Sequence, residues 1–399
     1  DLFSTQLKNV STYLHTEIWV VNKSGVVIMD SKNGGRTDGR VVCRICAGKK
    51  CQGLHGETDR GIFKGEEVKK MKRAVITGPT GAIGMALITQ CIREGWEVLA
   101  VCHRGSARIS SIPVHPRVKI LETELSELGQ LEQVIEGRYD VFYHFAWEGT
   151  TGAARNDMPL QTRNIASALQ AAELAAKLGC NTFVGAGSQA EYGRTEQLLS
   201  PETLVFPENG YGMAKLCAGQ MSRIRCQELG IKHVWVRILS VYGPFDGPNT
   251  MVSATLRKLL CGEHAAFTPA EQQWDYLYSE DAARALFLAA EHGKSGKIYV
   301  LGSGQIHPLR EYIVRIREAV CERIDTLRVQ EGQNKYLKAG SVGIGELPYP
   351  KGQVMFLGAD LTELTNDTGF VPEVDFEEGI RRTIDGIIDS VYNGDSAVR

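Results

Sequence analysis

The run Tyr211-Gly212-Met213-Ala214-Lys215 sets a phenol and an ammonium group four residues apart. In a helix that spacing is about one turn, so both side chains share a face. A cation beside a phenol stabilises the phenolate, and Lys215 is expected to lower the Tyr211 pKa from its usual ~10. Such a tyrosine can pass a proton to or from a substrate oxygen while hydride moves on a nicotinamide. A Tyr-x3-Lys pair alone is also an ordinary helix-surface pair. Its meaning depends on Ser188, whose hydroxyl could bond the same oxygen, and on the elements that hold the three together.

Those elements read as alternating strands and helices. Arg73–Thr77 is a β run, followed by Gly78-Pro79-Thr80-Gly81-Ala82-Ile83-Gly84 and an apolar-periodic helix from Met85 to Glu94. Trp96–Val101 reads as the next strand. Strand, glycine-rich turn, helix and strand in this order form a Rossmann unit. Gly78, Gly81 and Gly84 allow a tight turn and let a pyrophosphate approach N–H groups at the helix start, with Thr80, Ala82 and Ile83 in the same cradle. Glycines are common in loops, and the flanking strand and helix give these their significance.

Further strands are expected at Val118–Leu121, Asp140–His144 and Thr182–Gly185, with an Ala-rich helix over Leu160–Leu178. This alternation builds a parallel sheet covered on both faces, with ligands at the carboxyl ends of its strands. Function is therefore expected at His144–Glu148, Gly187–Tyr192 and Tyr211–Lys215. After the second strand an acid normally meets the 2′-hydroxyl of the NAD ribose. Here Cys102-His103-Arg104-Gly105-Ser106 offers none. Arg104, assisted by Ser106 and Arg108, is expected to pair with a 2′-phosphate, favouring NADP as cofactor over NAD. The plain alternative is a solvated loop arginine.

Taken together, residues 71–399 resemble an extended short-chain dehydrogenase/reductase of the NAD-dependent epimerase/dehydratase group, which modifies sugar nucleotides. The glycine motif of that family corresponds to Gly78, Gly81 and Gly84, and its catalytic Tyr and Lys to Tyr211 and Lys215. Its catalytic Ser/Thr lies four residues before a Tyr-Gly pair, which selects Ser188 in Ser188-Gln189-Ala190-Glu191-Tyr192-Gly193. His144-Phe145-Ala146-Trp147 resembles its His-x-Ala segment. Arg237–Pro244 is similar to Arg-x-x-Asn-x-Tyr-Gly-Pro, and Trp274–Asp281 to Arg-Asp-Phe-x-x-Val-x-Asp. The resemblance implies Ala146 at the cofactor and Trp147, Gln189, Glu191 and Ser240 at the substrate. It also implies a homodimer formed through the 160–178 and 212–229 helices.

The departures narrow the reaction. Sugar-nucleotide 4,6-dehydratases carry an Asp-Glu pair directly after the catalytic Thr, where this chain has Gln189 and Ala190. Elimination of water is therefore not expected, with Glu191 the one substitute acid nearby. Ser240 stands for the usual Asn and Trp274 for the usual Arg. The expected activity is NADPH-dependent reduction at C4 of a nucleotide-linked 4-keto-6-deoxyhexose, with Tyr211 as general acid. The alternatives are a 4-epimerase that recycles bound NAD, and an NADP-binding regulatory protein without catalysis. Intact Ser188, Tyr211 and Lys215 argue against the last.

Composition sets the outer bounds. The 399 residues include 45 Lys and Arg against 47 Asp and Glu, a net charge of −2, which argues against a nucleic-acid partner. No apolar run reaches the ~18–20 residues of a membrane span, and no signal peptide is visible, so a cytoplasmic protein is expected. Residues 1–70 differ from the rest, with 12 basic and 8 acidic residues. An amphipathic helix over Leu2–Leu14 and a hairpin of Ile18–Val21 with Val26–Met29 are expected there, together resembling the start of a sensor domain of a bacterial membrane histidine kinase. Cys43, Cys46, Cys51 and His55 form a weak candidate metal site without standard finger spacing. The sequence is expected to start naturally at Met71, with 1–70 a leader or fused segment. The expected fold is a doubly wound α/β Rossmann sheet at 71–240 and about 275–300. A smaller C-terminal α/β substrate domain takes 241–274 and about 301–399, and a poorly structured N-terminal segment precedes both.

Overall fold

The computed structural model describes residues 71–330 and 338–392, together with strands β1 (Trp19–Val21) and β2 (Val27–Asp30). The chain divides into two units, Asp1–Val68 and Lys69–Arg399. In the first, β1 and β2 pair antiparallel, as the hairpin pattern predicts. The Leu2–Leu14 helix and the Cys43, Cys46, Cys51 and His55 cluster lie outside the described residues.

In the second unit, β3 (Arg73–Thr77) leads through the glycine turn into helix α1 (Ala82–Arg93), which returns to β4 (Glu97–His103). The pattern then repeats through β5 (Val118–Thr123), β6 (Val141–His144), α2 (Met158–Lys177), β7 (Thr182–Ser188), α3 (Gly210–Glu228) and β8 (Lys232–Ile238). Local chemistry sets the helix starts. Asp157 caps α2 by accepting from Leu160 N, with Pro159 in its first turn, and Asn209 caps α3 by accepting from Gly212 N.

After β9 (Ser240–Tyr242) come α4 (Met251–Leu260), β10 (His264–Phe267), β11 (Gln273–Tyr278), α5 (Ser279–His292) and β12 (Lys297–Leu301). The chain closes with β13 (Ile306–Pro308), α6 (Leu309–Gln330), β14 (Ser341–Ile344), α7 (Thr362–Thr368) and α8 (Phe376–Tyr392). Seven strands form one parallel sheet in the order β12-β8-β7-β6-β3-β4-β5. Its direction of winding reverses between β3 and β6, which opens a crevice at their carboxyl ends. Ala74, Val75 and Ile76 are fully buried because helices cover both faces. This is the expected Rossmann fold with a smaller α/β part.

That smaller part holds the three-stranded sheet β13-β11-β9 and the β10-β14 pair. Its core joins Leu256 of α4, Tyr312 and Ile316 of α6, and Ile380 and Ile384 of α8. Buried Asp275 fastens it to the main sheet, accepting from Ser303 N at 2.6 Å, the Ser303 hydroxyl at 2.7 Å, and Gly304 N and Ala359 N at 3.1 Å each. Among the described residues no helix is long and apolar enough to cross a membrane.

Close packing joins β7, β8 and α3. Trp235 of β8 is 1% exposed, and its indole fills a slot lined by Gly185, Gly187 and Gly219. A Cβ at these positions would sit 2.3, 2.4 and 2.6 Å from the ring. The slot draws α3, which carries Tyr211 and Lys215, down onto the strand that carries Ser188. Gly219→Ala is therefore expected to lower folding stability by about 1–3 kcal/mol through overpacking, read as an earlier denaturant midpoint. An unchanged midpoint would show that the slot has slack.

Candidate active site

The glycine turn is shaped by close backbone approach. Gly78 has φ +68°, and a Cβ there would lie 2.8 Å from Ala146 N. A Cβ at Gly84 would lie 2.5 Å from Gly78 O. Gly81 differs, because a Cβ there would meet only Gly78 O at 3.9 Å, which leaves open space beside it. Gly81 is also the N-cap of α1 and offers no side-chain cap. The N–H groups at the helix start, including those of Ala82 and Ile83, thus suit a phosphate. The adjoining pocket is lined by Thr80, Val101, Leu125, Leu128, Ala146 and Trp147, a slot that fits a dinucleotide.

Thr77 ties this turn to the end of β6. Its hydroxyl accepts from Phe145 N at 3.2 Å and Ala146 N at 3.3 Å, and lies 3.0 Å from His144 Nδ1. With its oxygen accepting twice, the hydroxyl proton points at Nδ1, which is then the acceptor nitrogen. Burial pulls the His144 pKa down to about 3, and the Lys215 charge adds to the shift, so the ring is neutral.

Ser188, Tyr211 and Lys215 come together at the carboxyl end of β7. The Ser188 hydroxyl accepts from Ala190 N at 3.2 Å and is near enough to the Tyr211 phenol to pull its pKa downward. Lys215, 4% exposed, donates to Ala186 O at 2.7 Å and lies 3.8 Å over the Trp147 ring. The Trp147 ring stands edge-on to Tyr211, with centroids 6.1 Å apart, and its N–H donates to Gln161 Oε1 at 2.9 Å. Burial lowers the Lys215 pKa to about 7, with Glu191 pulling the other way. Tyr211 departs from expectation. Burial raises its pKa above the usual value, outweighing the downward pull of Ser188 and of the Arg155 charge. Its phenol is therefore protonated at neutral pH.

Other expectations meet a different arrangement. Arg104 is not turned to the dinucleotide slot, because Nη2 pairs with Glu127 Oε2 at 2.6 Å. Ser106 caps the turn that follows by accepting from Arg108 N at 3.3 Å, and Arg108 donates to Phe245 O. A carboxylate does stand near the end of β4: Glu122 of β5 lies opposite Cys102 in register and accepts from Gly105 N at 2.8 Å. Only the pairing of β4 with β5 could have revealed it. Ser240 and Trp274, each a departure from the family pattern, answer one another: the indole N–H donates to the Ser240 hydroxyl at 2.8 Å. Gln189 is half-buried in the turn after Ser188, and its carbonyl accepts from Tyr192 N at 3.0 Å.

Glu191, expected at the substrate, lies fully buried behind the site instead. Oε1 accepts from Ser188 N at 2.9 Å and Trp235 Nε1 at 3.0 Å, and Oε2 accepts from Arg237 Nε at 2.7 Å. Both oxygens are committed, so the carboxylate holds Ser188 rather than acting as an acid. Arg237, 2% exposed, lies 4.4 Å over the Tyr192 ring. Glu191→Ala leaves that guanidinium buried without its counter-charge and is expected to cost about 3–5 kcal/mol in chemical denaturation. Stability equal to wild type would return Glu191 to the substrate side.

Residues 74–302 match the NAD dependent epimerase/dehydratase family. A dTDP-glucose 4,6-dehydratase of Neisseria meningitidis serogroup B is 20% identical over 342 residues, covering 80% of this chain and 94% of that protein. Among solved structures, the UDP-N-acetylglucosamine 4-epimerase of Methanobrevibacter ruminantium M1, in complex with UDP-N-acetylmuramic acid, aligns with TM-score 0.69 at 20% identity. That alignment covers 80% of this chain and 99% of the other. A dTDP-glucose 4,6-dehydratase from Streptomyces venezuelae with NAD bound aligns with TM-score 0.67 at 19% identity, covering 82% and 100%. The glycine turn at a parallel-sheet crevice and the match over 74–302 together lead to one conclusion: the chain belongs to the NAD dependent epimerase/dehydratase family.

Proposed function

We propose that this enzyme moves hydride at C4 of a nucleotide-linked hexose, using NAD(H), with Ser188 and Tyr211 on the reacting oxygen. One observation carries the reading. Ser188 at the carboxyl end of β7 acts on the Tyr211 phenol, and Lys215 lies 5.8 Å from the Tyr211 ring, at the same end of the sheet as the glycine turn. The substrate class is supported by the relatives, whose names specify dTDP-glucose and UDP-sugars. The glycine turn and the start of α1 would hold the pyrophosphate, Val101, Leu125 and Leu128 would flank the adenine, and Lys215 would hold the nicotinamide ribose. Bound NAD(H) would supply or accept the hydride. Tyr211, protonated at neutral pH, donates its proton to the C4 oxygen as the carbonyl is reduced, while Ser188 orients that oxygen. Oxidation of the alcohol runs the same proton back to the phenolate.

Dehydratases are among the relatives, but the site itself argues against elimination of water, since Gln189 and Ala190 cannot carry protons and Glu191 is committed to Arg237. The cofactor reading shifts from the sequence-based preference for NADP to NAD. Arg104, the cation expected at a 2′-phosphate, is paired with Glu127 and His103 with Glu124, and solved relatives carry NAD. NAD that stays bound and is recycled suits a 4-epimerase. Reduction of a 4-keto-6-deoxyhexose is the outcome to be told apart from it.

The deciding assay offers purified protein UDP-hexoses with NAD, and nucleotide-linked 4-keto-6-deoxyhexoses with NADH or NADPH. Interconversion at C4 without net cofactor loss is expected, and Tyr211→Phe should cut the rate about 10²–10⁴-fold while still binding NAD. Stoichiometric oxidation of NADPH would establish the reductase instead. No turnover with either class would reject the proposal. The same reading makes the enzyme a homodimer through α2 and α3, where Met213, Met221 and Ile224 are 49%, 44% and 51% exposed. Ile224→Glu is expected to release monomers in light scattering. A monomeric wild-type protein would contradict it.

A further inference from the structure

We propose that Arg155 is a positioning residue that supplies the permanent positive charge on which proton release from Tyr211 depends. The inference rests on the reading of Tyr211 as the proton carrier. The sequence pairs that phenol with one cation, Lys215, but the structure gives it two. The guanidinium carbon of Arg155 lies 4.4 Å over the Tyr211 ring, against 5.8 Å for Lys215 Nζ.

The two cations are not equivalent. The Lys215 ammonium is directed at Ala186 O and the Trp147 face, and burial brings its pKa to about 7. Around neutrality it therefore carries only part of a charge. A guanidinium stays protonated throughout this range. Arg155 is half-buried, donates Nη1 to Thr150 O at 3.0 Å, and has no carboxylate partner among the described residues. Its field is therefore not neutralised locally.

The groups facing Tyr211 come from every element around it: Ser188 from β7, Lys215 from α3, Trp147 from the loop after β6, and Glu191 from the turn at 189–191. Glu191 opposes the phenolate but is bound to Arg237, and His144 behind Lys215 is neutral. As pH rises and Lys215 loses its proton, the Arg155 guanidinium 4.4 Å over the ring is the nearer cation left. Its placement is built into the fold. Arg155 sits in the short 3₁₀ turn Gly152–Asn156, and Asn156 Oδ1 accepts from Gly210 N at 2.9 Å at the start of α3. A Cβ at Gly210 would lie 2.9 Å from Arg155 O, so the turn rests directly on the helix that carries Tyr211.

The test is the ionisation of Tyr211 itself, followed by ultraviolet difference titration of the full chain without substrate, with the Tyr211→Phe titration subtracted. Removing a positive charge disfavours phenolate, so Arg155→Gln is expected to move the Tyr211 transition to higher pH. At a given pH below the transition the phenolate fraction should fall roughly tenfold. Arg155→Lys keeps the charge and should restore most of the shift, which separates charge from loss of packing. Superimposable titrations for wild type and Arg155→Gln would overturn the proposal. The kcat/KM–pH profile for alcohol oxidation should shift in the same direction. An active enzyme with an unmoved profile would overturn the Arg155 role and leave the proposed function standing. Absent turnover in wild type would remove the proposed function while the titration still judged Arg155.

Discussion

The arrangement of the site depends on one buried ion pair. Glu191 and Arg237 meet at 2.7 Å with side chains 1% and 2% exposed, beside the buried rings of Trp235 and Tyr192. Burying two charges is costly, and the pair need not add net stability over an apolar equivalent. What it adds is direction. Glu191 accepts from the backbone of Ser188 and from the Trp235 indole, so one carboxylate fixes the serine turn, the neighbouring strand and the arginine together. Gly185, Gly187 and Gly219 are the steric counterpart, because they admit the indole that the carboxylate holds.

From that anchor outward the site is a layer of rings and cations. Trp147 is clamped by Gln161, and the Gln161 amide donates to Gly149 O at 2.9 Å and Ala154 O at 3.0 Å. The same network thus orders the loop that carries Arg155. Lys215 lies on one side of Trp147, and Tyr211 stands edge-on to it. Burial works against charge on both Lys215 and Tyr211. The protonation of both groups is governed by desolvation first and by the neighbouring charges second. Cys102 shows the same order, with burial raising its thiol to about 11 and the Glu122 charge adding to it.

Much of this was legible in the sequence. The β runs and apolar-periodic helices predicted the parallel sheet because each element is buried along its whole length and leaves a continuous pattern. Ser188, Tyr211 and Lys215 fall together as their spacing and strand-end positions suggested. The misreadings share a physical cause, since each concerns a charge whose partner is remote in sequence or hidden by packing. Arg104 looked free because Glu127 lies 23 residues on, in a 3₁₀ segment without periodicity. Glu191 looked reactive because Arg237 is 46 residues away. The net direction of the Tyr211 shift required burial, which spacing does not report. Arg155 left no signal at all, because a five-residue 3₁₀ turn has no apolar repeat.

The central claim is that hydride leaves and returns through the dinucleotide held at the glycine turn, with Ser188 and Tyr211 on the sugar oxygen. It is tested most directly by stopped-flow absorbance of the NAD-loaded enzyme mixed with a UDP-hexose. The account predicts a transient rise in reduced-nicotinamide absorbance that forms and decays no slower than epimer appears, and that is lost in Tyr211→Phe. Epimer formation with no reduced nicotinamide, even in a rapidly quenched sample, would contradict it.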